Sequence, residues 1–313
     1  MKKAILLTLA AAFILLGAGT FVRADDDTSI VNTSMKMVIE VDNVYNKYGV
    51  QISGTEITTT TTTTINSKNE TSITVTTQTV SSEWRGGSVK VANIEGTSKT
   101  NGTDDSSSDT TFTITYEYTD GTGKLKGASG TSTTTGDSGT GDNGEKIGTY
   151  KTSTKDTYTI KNGQALRTKS ETTGESYGSD GTKKGDITQT STTEYKLVAG
   201  TWQVSKETTV SKNTGVDGRS ESITRVRTYT RDGNGVITNI SQTATGTYIY
   251  VHGLSGEKTL GLSNYSAEFA FDEESGWYLK KEHIKWEEGA AADEGTADEG
   301  TADEGDAAAE AEG

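Results

Sequence analysis

Long threonine-rich segments with a two-residue alternation constrain the fold of this chain more than any other feature. Residues 55–79 contain 13 threonines, seven of them consecutive at 58–64. Branching at Cβ stiffens χ1 and suits the pleated surface of a strand better than the surface of a helix. Residues 112–118 alternate apolar and polar side chains throughout, which is typical of a strand with one covered and one solvated face. The sequence therefore predicts an all-β protein.

Short glycine-containing breaks separate the predicted strands. Tight turns between twisted strands need positive φ, which glycine and asparagine adopt readily. Because these breaks are short and no helical apolar stripe occurs between residues 50 and 286, we expect an extended antiparallel meander of long Thr-rich hairpins, in a single-layer or thin two-layer sheet. The breaks are Asn162-Gly163, Ala199-Gly200, Asp232-Gly-Asn-Gly235 and Glu274-Ser-Gly276. The strands predicted around them are 149–160, 164–172, 187–198, 201–212, 219–231, 236–251, 266–272 and 277–286.

The segment 33–49 fits two kinds of secondary structure. As a helix it would be capped by Asn32 or Thr33, end at Gly49, and carry one apolar face made of Met37, Val41, Val44, Tyr45 and Tyr48. As a strand it would carry Met35, Met37, Ile39 and Val41 on one side. We favour the helix, so the sequence predicts a short N-terminal helix before the sheet.

Large apolar side chains are too few to fill a large dry core. After residue 24, Leu, Ile, Val and Phe together make up 42 of 289 residues, below the roughly 20% that separates folded from unfolded charged chains. Cross-strand pairs of threonine, aromatic and charged side chains, each worth roughly 0.2–1 kcal/mol, must therefore supply much of the stability. Trp202 and Trp277 are the best candidates for the small core that remains.

The composition divides the chain into four predicted parts. They are a signal peptide (1–24), an N-terminal segment with a helix and Thr-rich strands (25–100), an antiparallel β domain (101–286) and an acidic tail (287–313). Gly, Ser, Thr and Asp fill residues 96–110 and 127–146, which are predicted to be long loops.

Residues 1–24 have the layout of a bacterial secretory signal peptide. Lys2 and Lys3 form a basic start, residues 4–16 are almost entirely apolar, and Val22-Arg23-Ala24 forms a cleavage site. The apolar stretch is shorter than the roughly 20 residues that span a bilayer. We therefore expect export, a secreted or periplasmic mature chain that begins near Asp25, and no transmembrane segment in that chain.

The C-terminal segment 287–313 is strongly acidic and repetitive. It contains 11 acidic and no basic residues, and the sequence Ala-Asp-Glu-Gly-Thr repeats within it. Repulsion between like charges and regularly spaced glycine predict a disordered tail. The formal net charge of −14 for the whole chain argues against nucleic acid as a partner, because nucleic-acid phosphates are also negative.

Residue composition also limits the chemistry available to this chain. The chain has no cysteine and only two histidines, which excludes disulfides, zinc–thiolate sites and thiol nucleophiles and leaves little for imidazole chemistry. His252 and His283 lie in predicted strands, without a visible third partner for a metal site or a triad. We therefore predict a protein that is not an enzyme, with no catalytic residue, cofactor or metal site.

Some short motif matches lack the structural context that their chemistry needs. Gly174-Glu-Ser176-Tyr-Gly178 matches the hydrolase motif G-x-S-x-G, yet loop-forming residues flank it in place of a strand and a helix. Gly139-Thr-Gly141-Asp-Asn-Gly144 matches G-x-G-x-x-G without an apolar strand before it. Asp232-Gly-Asn234-Gly235 and Asp142-Asn-Gly144 resemble calcium loops but lack the closing Glu, so we interpret the two as turns.

These features favour a non-enzymatic, exported bacterial β protein that serves as a cell-surface, matrix or interaction component. One alternative is a self-assembling fibre or layer subunit, because no proline protects an edge strand. Another is a module that binds glycans or ice through Thr-rich faces, although the sequence shows no fixed repeat length that would align threonines on neighbouring strands. The partners expected are a second copy of the chain or a surface glycan.

Overall fold

The computed structural model describes residues 30–66, 71–102, 105–140, 144–251, 258–272 and 276–288, which form a single antiparallel sheet of 14 strands. The order of the strands in the sheet is their order in the sequence, so the predicted all-β meander is confirmed. Within these ranges no helix has the length and apolar character needed to cross a membrane. The strands are β1 (Ile30–Tyr45), β2 (Gln51–Asn66), β3 (Thr71–Arg85), β4 (Ser88–Asn101), β5 (Ser107–Tyr118), β6 (Leu125–Asp137), β7 (Gly148–Lys161), β8 (Gln164–Gly178), β9 (Lys183–Val198), β10 (Thr201–Gly215), β11 (Ser220–Arg231), β12 (Ile237–Val251), β13 (Lys258–Asp272) and β14 (Gly276–Glu288).

Two-residue turns with positive φ connect β7 to β8 and β9 to β10, as predicted. Asn162 and Gly163 have φ of 50° and 78°, and Ala199 and Gly200 have φ of 48° and 80°. Two successive residues of this kind make the turn whose twist matches that of the flanking strands. Residues 274 and 275 of the predicted turn at Glu274-Ser-Gly276 lie outside the described residues, as do the predicted signal peptide and the tail from residue 289.

The predicted N-terminal helix is wrong, because most of residues 33–49 belong to strand β1. Backbone pairing with β2 extends along this strand, for example Met37 with Thr60 and Val41 with Glu56. The apolar residues of this segment satisfy both a helical and a two-residue period. The threonine run of β2 cannot easily form a helix and offers a full row of backbone partners, which favours the strand.

The long loops predicted at 96–110 and 127–146 are also largely wrong. Strand β4 continues to Asn101, β5 begins at Ser107, and β6 occupies Leu125–Asp137. Gly96 and Gly136 in these strands leave room for aromatic rings from neighbouring strands, so residues typical of loops also occur inside the sheet. Strands β4 and β5 pair along their length across residue 100, and the division of the chain into domains near that position stays a prediction.

The two faces of the sheet differ in burial. The inner face carries Phe112 and Ile114 of β5, and the outer face carries Thr111 and Thr113, which are exposed. Directly paired residues of antiparallel strands share a face, so the register assigns most of the buried side chains to the inner face. They are Thr58, Val80, Ser108, Thr110, Phe112, Ile114, Ser132, Asp156, Ile187 and Ala267.

Aromatic rings on the inner face lie across glycines of the same or the adjacent strand. A Cβ atom placed on Gly96 of β4 would lie 2.7 Å from Cζ of Phe112, its partner across the strand pair. A Cβ atom on Gly136 of β6 would overlap the ring of Tyr150, its partner on β7. The glycines therefore provide the space in which these rings cover the sheet, and a one-layer fold obtains buried aromatic surface without a second layer.

Replacement of Gly136 by alanine should destabilise the fold by about 1–3 kcal/mol, the usual cost of overpacking. The added methyl group occupies the position of the Tyr150 ring, which must then swing into solvent. Gly127→Ala is the matched control, because its added methyl makes only ordinary contacts with Glu117, the nearest at 3.5 Å. Urea unfolding of both variants measures the difference, and equal stability of the two would contradict the role assigned to Gly136.

Hydroxyl pairs take the place of apolar contacts over much of the inner face. Each pair joins two directly opposed residues on neighbouring strands, and each hydrogen bond of this kind adds about 0.5–1.5 kcal/mol net. The Oγ–Oγ distances lie between 2.8 and 3.0 Å in the pairs Thr74–Thr100, Thr76–Ser98, Thr110–Thr134, Thr154–Thr172 and Ser191–Thr209. These hydroxyl pairs are cross-strand contacts of the kind that the sequence predicts as a source of stability in place of a large apolar core.

The predicted core residue Trp202 is half-buried. Lys161 Nζ lies 4.3 Å from the centroid of its ring, which is a cation–π contact. The side chain of Trp277 lies outside the described residues. Larger contributions to the core come from Phe112 and Ile114, which are 7% and 3% exposed.

Candidate binding surface

The outer face carries a row of hydroxyl groups that crosses eight consecutive strands. We call this set the hydroxyl row. Each member is the direct cross-strand partner of the next, and neighbouring strands lie about 4.8 Å apart, so the row is about 34 Å long. Its members, from β2 to β9, are Thr59, Thr77, Thr97, Thr111, Thr133, Ser153, Thr173 and Thr188.

Most of the hydroxyl row is open to solvent. The six members from Thr97 to Thr188 are exposed, whereas Thr59 and Thr77 are half-buried and share a hydrogen bond of 3.3 Å. Thr188 Oγ1 donates to the backbone carbonyl of Lys212 at 3.3 Å. The five hydroxyls between Thr97 and Thr173 make no hydrogen bond with another residue in the part of the chain that the structure describes. They are therefore able to donate to and accept from a ligand.

Charged residues border the hydroxyl row on both sides. On one side Lys99 of β4 and Asp109 of β5 are paired, with 3.1 Å between Nζ and Oδ1. On the other side Lys155 of β7 is the direct partner of Glu171 of β8. Both signs of charge occur on these borders, so neither border is of one sign only. The distinguishing chemistry of the surface is a regular line of neutral hydroxyl and methyl groups.

A groove with a volume of about 520 Å³ is lined by residues of β7 to β12 and of nearby connections between strands. Tyr150 and Tyr248 supply aromatic surface, and Lys184 and Arg219 supply positive charge. Asn213 Nδ2 donates to Glu221 Oε2 at 3.1 Å on the groove wall. Burial raises the pKa of the Tyr150 phenol, so this group stays a neutral donor in the physiological range. The groove combines apolar and hydrogen-bonding groups, as sites for small polar ligands commonly do.

A buried carboxylate on the inner face was not predicted from the sequence. Asp156 of β7 is 7% exposed, and its Oδ2 lies 3.8 Å from Arg167 Nη1. Asp156 Oδ1 and the hydroxyl of Tyr158 are both buried without a hydrogen-bond partner among the described residues. Burial, with a smaller contribution from the nearby charge of Asp156, raises the pKa of the Tyr158 phenol. The only signal in the sequence is that Asp156 occupies the covered position of an alternating strand.

The structure places Ser176, the serine of the hydrolase-like motif, within strand β8. A turn and strand β9 follow the motif, where the hydrolase arrangement requires a helix. Ser176 Oγ lies 3.5 Å from the backbone carbonyl of Gly185, to which it donates. His283 is exposed and lies in β14, six strands along the sheet from β8, which carries Ser176. His252 lies outside the described residues. The described residues therefore do not bring Ser176 and a histidine together.

The described residues of the other motif matches lie in connections between strands. Asp232 Oδ1 accepts hydrogen bonds from the backbone nitrogens of Asn234 and Val236, both at 2.9 Å, so this carboxylate holds the turn between β11 and β12. Gly139 and Gly144 have φ of 84° and 74° in the connection between β6 and β7, of which residues 141–143 lie outside the described residues. The described part of the chain contains no cluster of three or more His, Asp or Glu residues able to hold a metal ion.

No family model, curated protein or solved structure matches this chain.

Proposed function

We propose that this protein is an exported, non-enzymatic component of a bacterial surface or matrix that binds polysaccharide through the hydroxyl row. The observation that carries the proposal is the alignment of hydroxyl groups in one line across eight strands. A polysaccharide also presents hydroxyl groups and C–H surfaces at regular intervals, so one strand of polymer can contact many members of the row at once.

The chemistry of the row supports a neutral, hydroxyl-rich ligand. A threonine hydroxyl can donate one hydrogen bond and accept others, and its methyl group can pack against a sugar C–H face. Each contact contributes little, but contacts repeated along a polymer add to a useful affinity. The lack of cysteine and the scarcity of histidine support a binding role over a catalytic one.

The test is the binding of insoluble polysaccharides and a glycan array by a variant that carries Thr111→Val and Thr133→Val. Valine keeps the shape and the strand preference of threonine but removes the hydroxyl group. Two lost hydrogen bonds, each worth about 0.5–1.5 kcal/mol, should weaken binding by about 5- to 150-fold.

The matched control carries Thr228→Val and Thr243→Val, two exposed outer-face threonines of β11 and β12 that lie outside the row. This control should bind as the unmodified chain does. Equal loss in both variants would assign binding to another surface, and the absence of binding to any glycan would overturn the proposal.

The same free hydroxyls favour ice as a second candidate ligand. A regular exposed line of hydroxyl and methyl groups can order the water next to it. Thermal hysteresis of the purified chain measures this activity directly. If the chain has it, the Thr111→Val and Thr133→Val variant should change the hysteresis and the β11–β12 control should not; no hysteresis in the unmodified chain would remove this candidate.

A further inference from the structure

Strand β1 forms one edge of the described sheet. It pairs with β2 on one side only, so alternate N–H and C=O groups of its backbone point away from the sheet. The strand has 16 residues and no proline. Native proteins usually protect such an edge with short strands, proline, bulges or charge, because an unprotected edge pairs readily with another strand.

The side chains of β1 are unusually apolar for an exposed edge. Four of them share the inner face and two lie on the outer face, and all six are between 42 and 58% exposed. The inner-face residues are Met35, Met37, Ile39 and Val41, and the outer-face residues are Val38 and Val44. The exposed part of these side chains is open to solvent among the described residues. A strand added to this edge would cover some of it.

Two charged residues on the outer face of β1 lie symmetrically about Val38. Lys36 is the cross-strand partner of Thr61, and Glu40 is the partner of Ile57, so neither faces a charge on β2. Neither residue forms an ion pair with another residue of the described chain. A two-fold axis through Val38 would place Lys36 of each copy directly opposite Glu40 of the other.

We propose that two copies of this chain associate through β1, antiparallel and centred on Val38, so that one sheet continues into the other. In this register two ion pairs form on the outer face, while Met37 faces Ile39 and Met35 faces Val41 on the inner face. A register centred on Ile39 would place Glu40 opposite Val38, an unfavourable pair. A two-fold interface uses the same surface on both copies and closes on itself, so the product is a discrete dimer.

This inference does not depend on polysaccharide binding, because it concerns the edge of the sheet and not the hydroxyl row. The first test is oxidation of a Val38→Cys variant. The variant is made from the full chain and purified in the form that the host cell produces. Because the native chain has no cysteine, any disulfide must form between the two introduced thiols. Directly opposed positions bring Cβ atoms within about 5.5 Å, close enough for rapid cross-linking.

Val44→Cys is the matched control for the cross-link. Val44 is exposed on the same face of the same strand, but in the proposed register it faces residue 32 of the second copy. The two introduced thiols would then lie about 40 Å apart. We expect covalent dimer from the Val38→Cys variant and little from the Val44→Cys variant. Equal cross-linking of both would overturn the register. A monomeric mass for the unmodified chain by light scattering would overturn the interface.

Charge reversal provides an independent test of the same register. Lys36→Glu and Glu40→Lys each create two like-charge pairs per dimer, and either change should weaken the dimer by about tenfold. The double variant restores both opposite-charge pairs and should dimerise as the unmodified chain does. A mixture of the two single variants should form heterodimers in preference to either homodimer, since every cross-copy pair is then of opposite charge.

Sedimentation of these variants separates the proposed dimer from other assemblies. Failure of the double variant to recover dimerisation would disprove the register. Filaments that persist in both single variants would instead indicate pairing of β1 with the opposite edge, β14, of another copy, and the proposal would be wrong.

Discussion

Replacement of Phe112 by alanine should lower the free energy of unfolding by about 3–5 kcal/mol, the usual cost of removing a buried phenylalanine ring. Phe112 is 7% exposed and its ring lies over Gly96 of the adjacent strand. A typical domain is stable by only 5–15 kcal/mol. The fold has few other large buried side chains to compensate, so this variant should be close to unfolding at room temperature.

Leu197→Ala is the control for Phe112→Ala. Leu197 is 53% exposed, and its truncation should change stability by less than about 1 kcal/mol. Urea denaturation followed by far-ultraviolet circular dichroism compares the two variants. A loss at Phe112 as small as that at Leu197 would show that aromatic burial on the inner face contributes little, and that hydroxyl pairing alone maintains the sheet.

Unfolding at alkaline pH is the second large effect expected. Burial raises the pKa of several phenols on the inner face above the ordinary value of 10, because ionisation would place a charge in a poorly solvated site. They are Tyr116, Tyr118, Tyr150, Tyr158, Tyr195 and Tyr229. The folded state therefore holds these protons more tightly than the unfolded chain does.

The linkage between proton binding and folding sets the direction of this effect. The stability linked to these phenols is fully present below pH 10, where they are neutral in both states, and is lost as the pH rises above 10 towards their folded pKa values. We expect cooperative loss of the β-sheet signal in that window, together with the rise of tyrosinate absorbance. Unfolding that is complete below pH 9, or that precedes the absorbance change, would contradict this explanation.

Tyr158→Phe is the matched variant for the alkaline transition. The Tyr158 hydroxyl is buried without a hydrogen-bond partner among the described residues, so its removal should not weaken the fold at neutral pH. It removes one of the phenols that must ionise on unfolding, and the midpoint of alkaline unfolding should move to higher pH. An unchanged midpoint would assign the transition to other groups.

Turns and strand type were the features most accessible to prediction from sequence. The alternation at 112–118 and the turns at Asn162-Gly163 and Ala199-Gly200 act over a few residues, so local backbone preferences suffice to identify them. The prediction of a helix at 33–49 is wrong because the apolar residues of this segment satisfy two periods at once. Only pairing with β2 decides between them, and that pairing is not a local property.

The candidate surfaces were much less accessible from sequence. Buried Asp156 has the local context of any strand residue, and its neighbour Arg167 comes from the next strand. Successive members of the hydroxyl row are unequally spaced in the chain, with 14 residues from Thr97 to Thr111 but 22 from Thr111 to Thr133. No sequence period could therefore reveal the row.

Antiparallel strands follow from the amino-acid sequence, since β-branched side chains and glycine turns restrict the backbone residue by residue. Which residues are neighbours across those strands follows only from the assembled sheet. Turn lengths and bulges set the register, and the register placed threonines from eight strands in one line, aromatic rings over glycines, and Lys36 and Glu40 on an open edge. The register of each strand depends on the lengths of all the turns and bulges before it, so a local sequence pattern cannot predict which residues become neighbours.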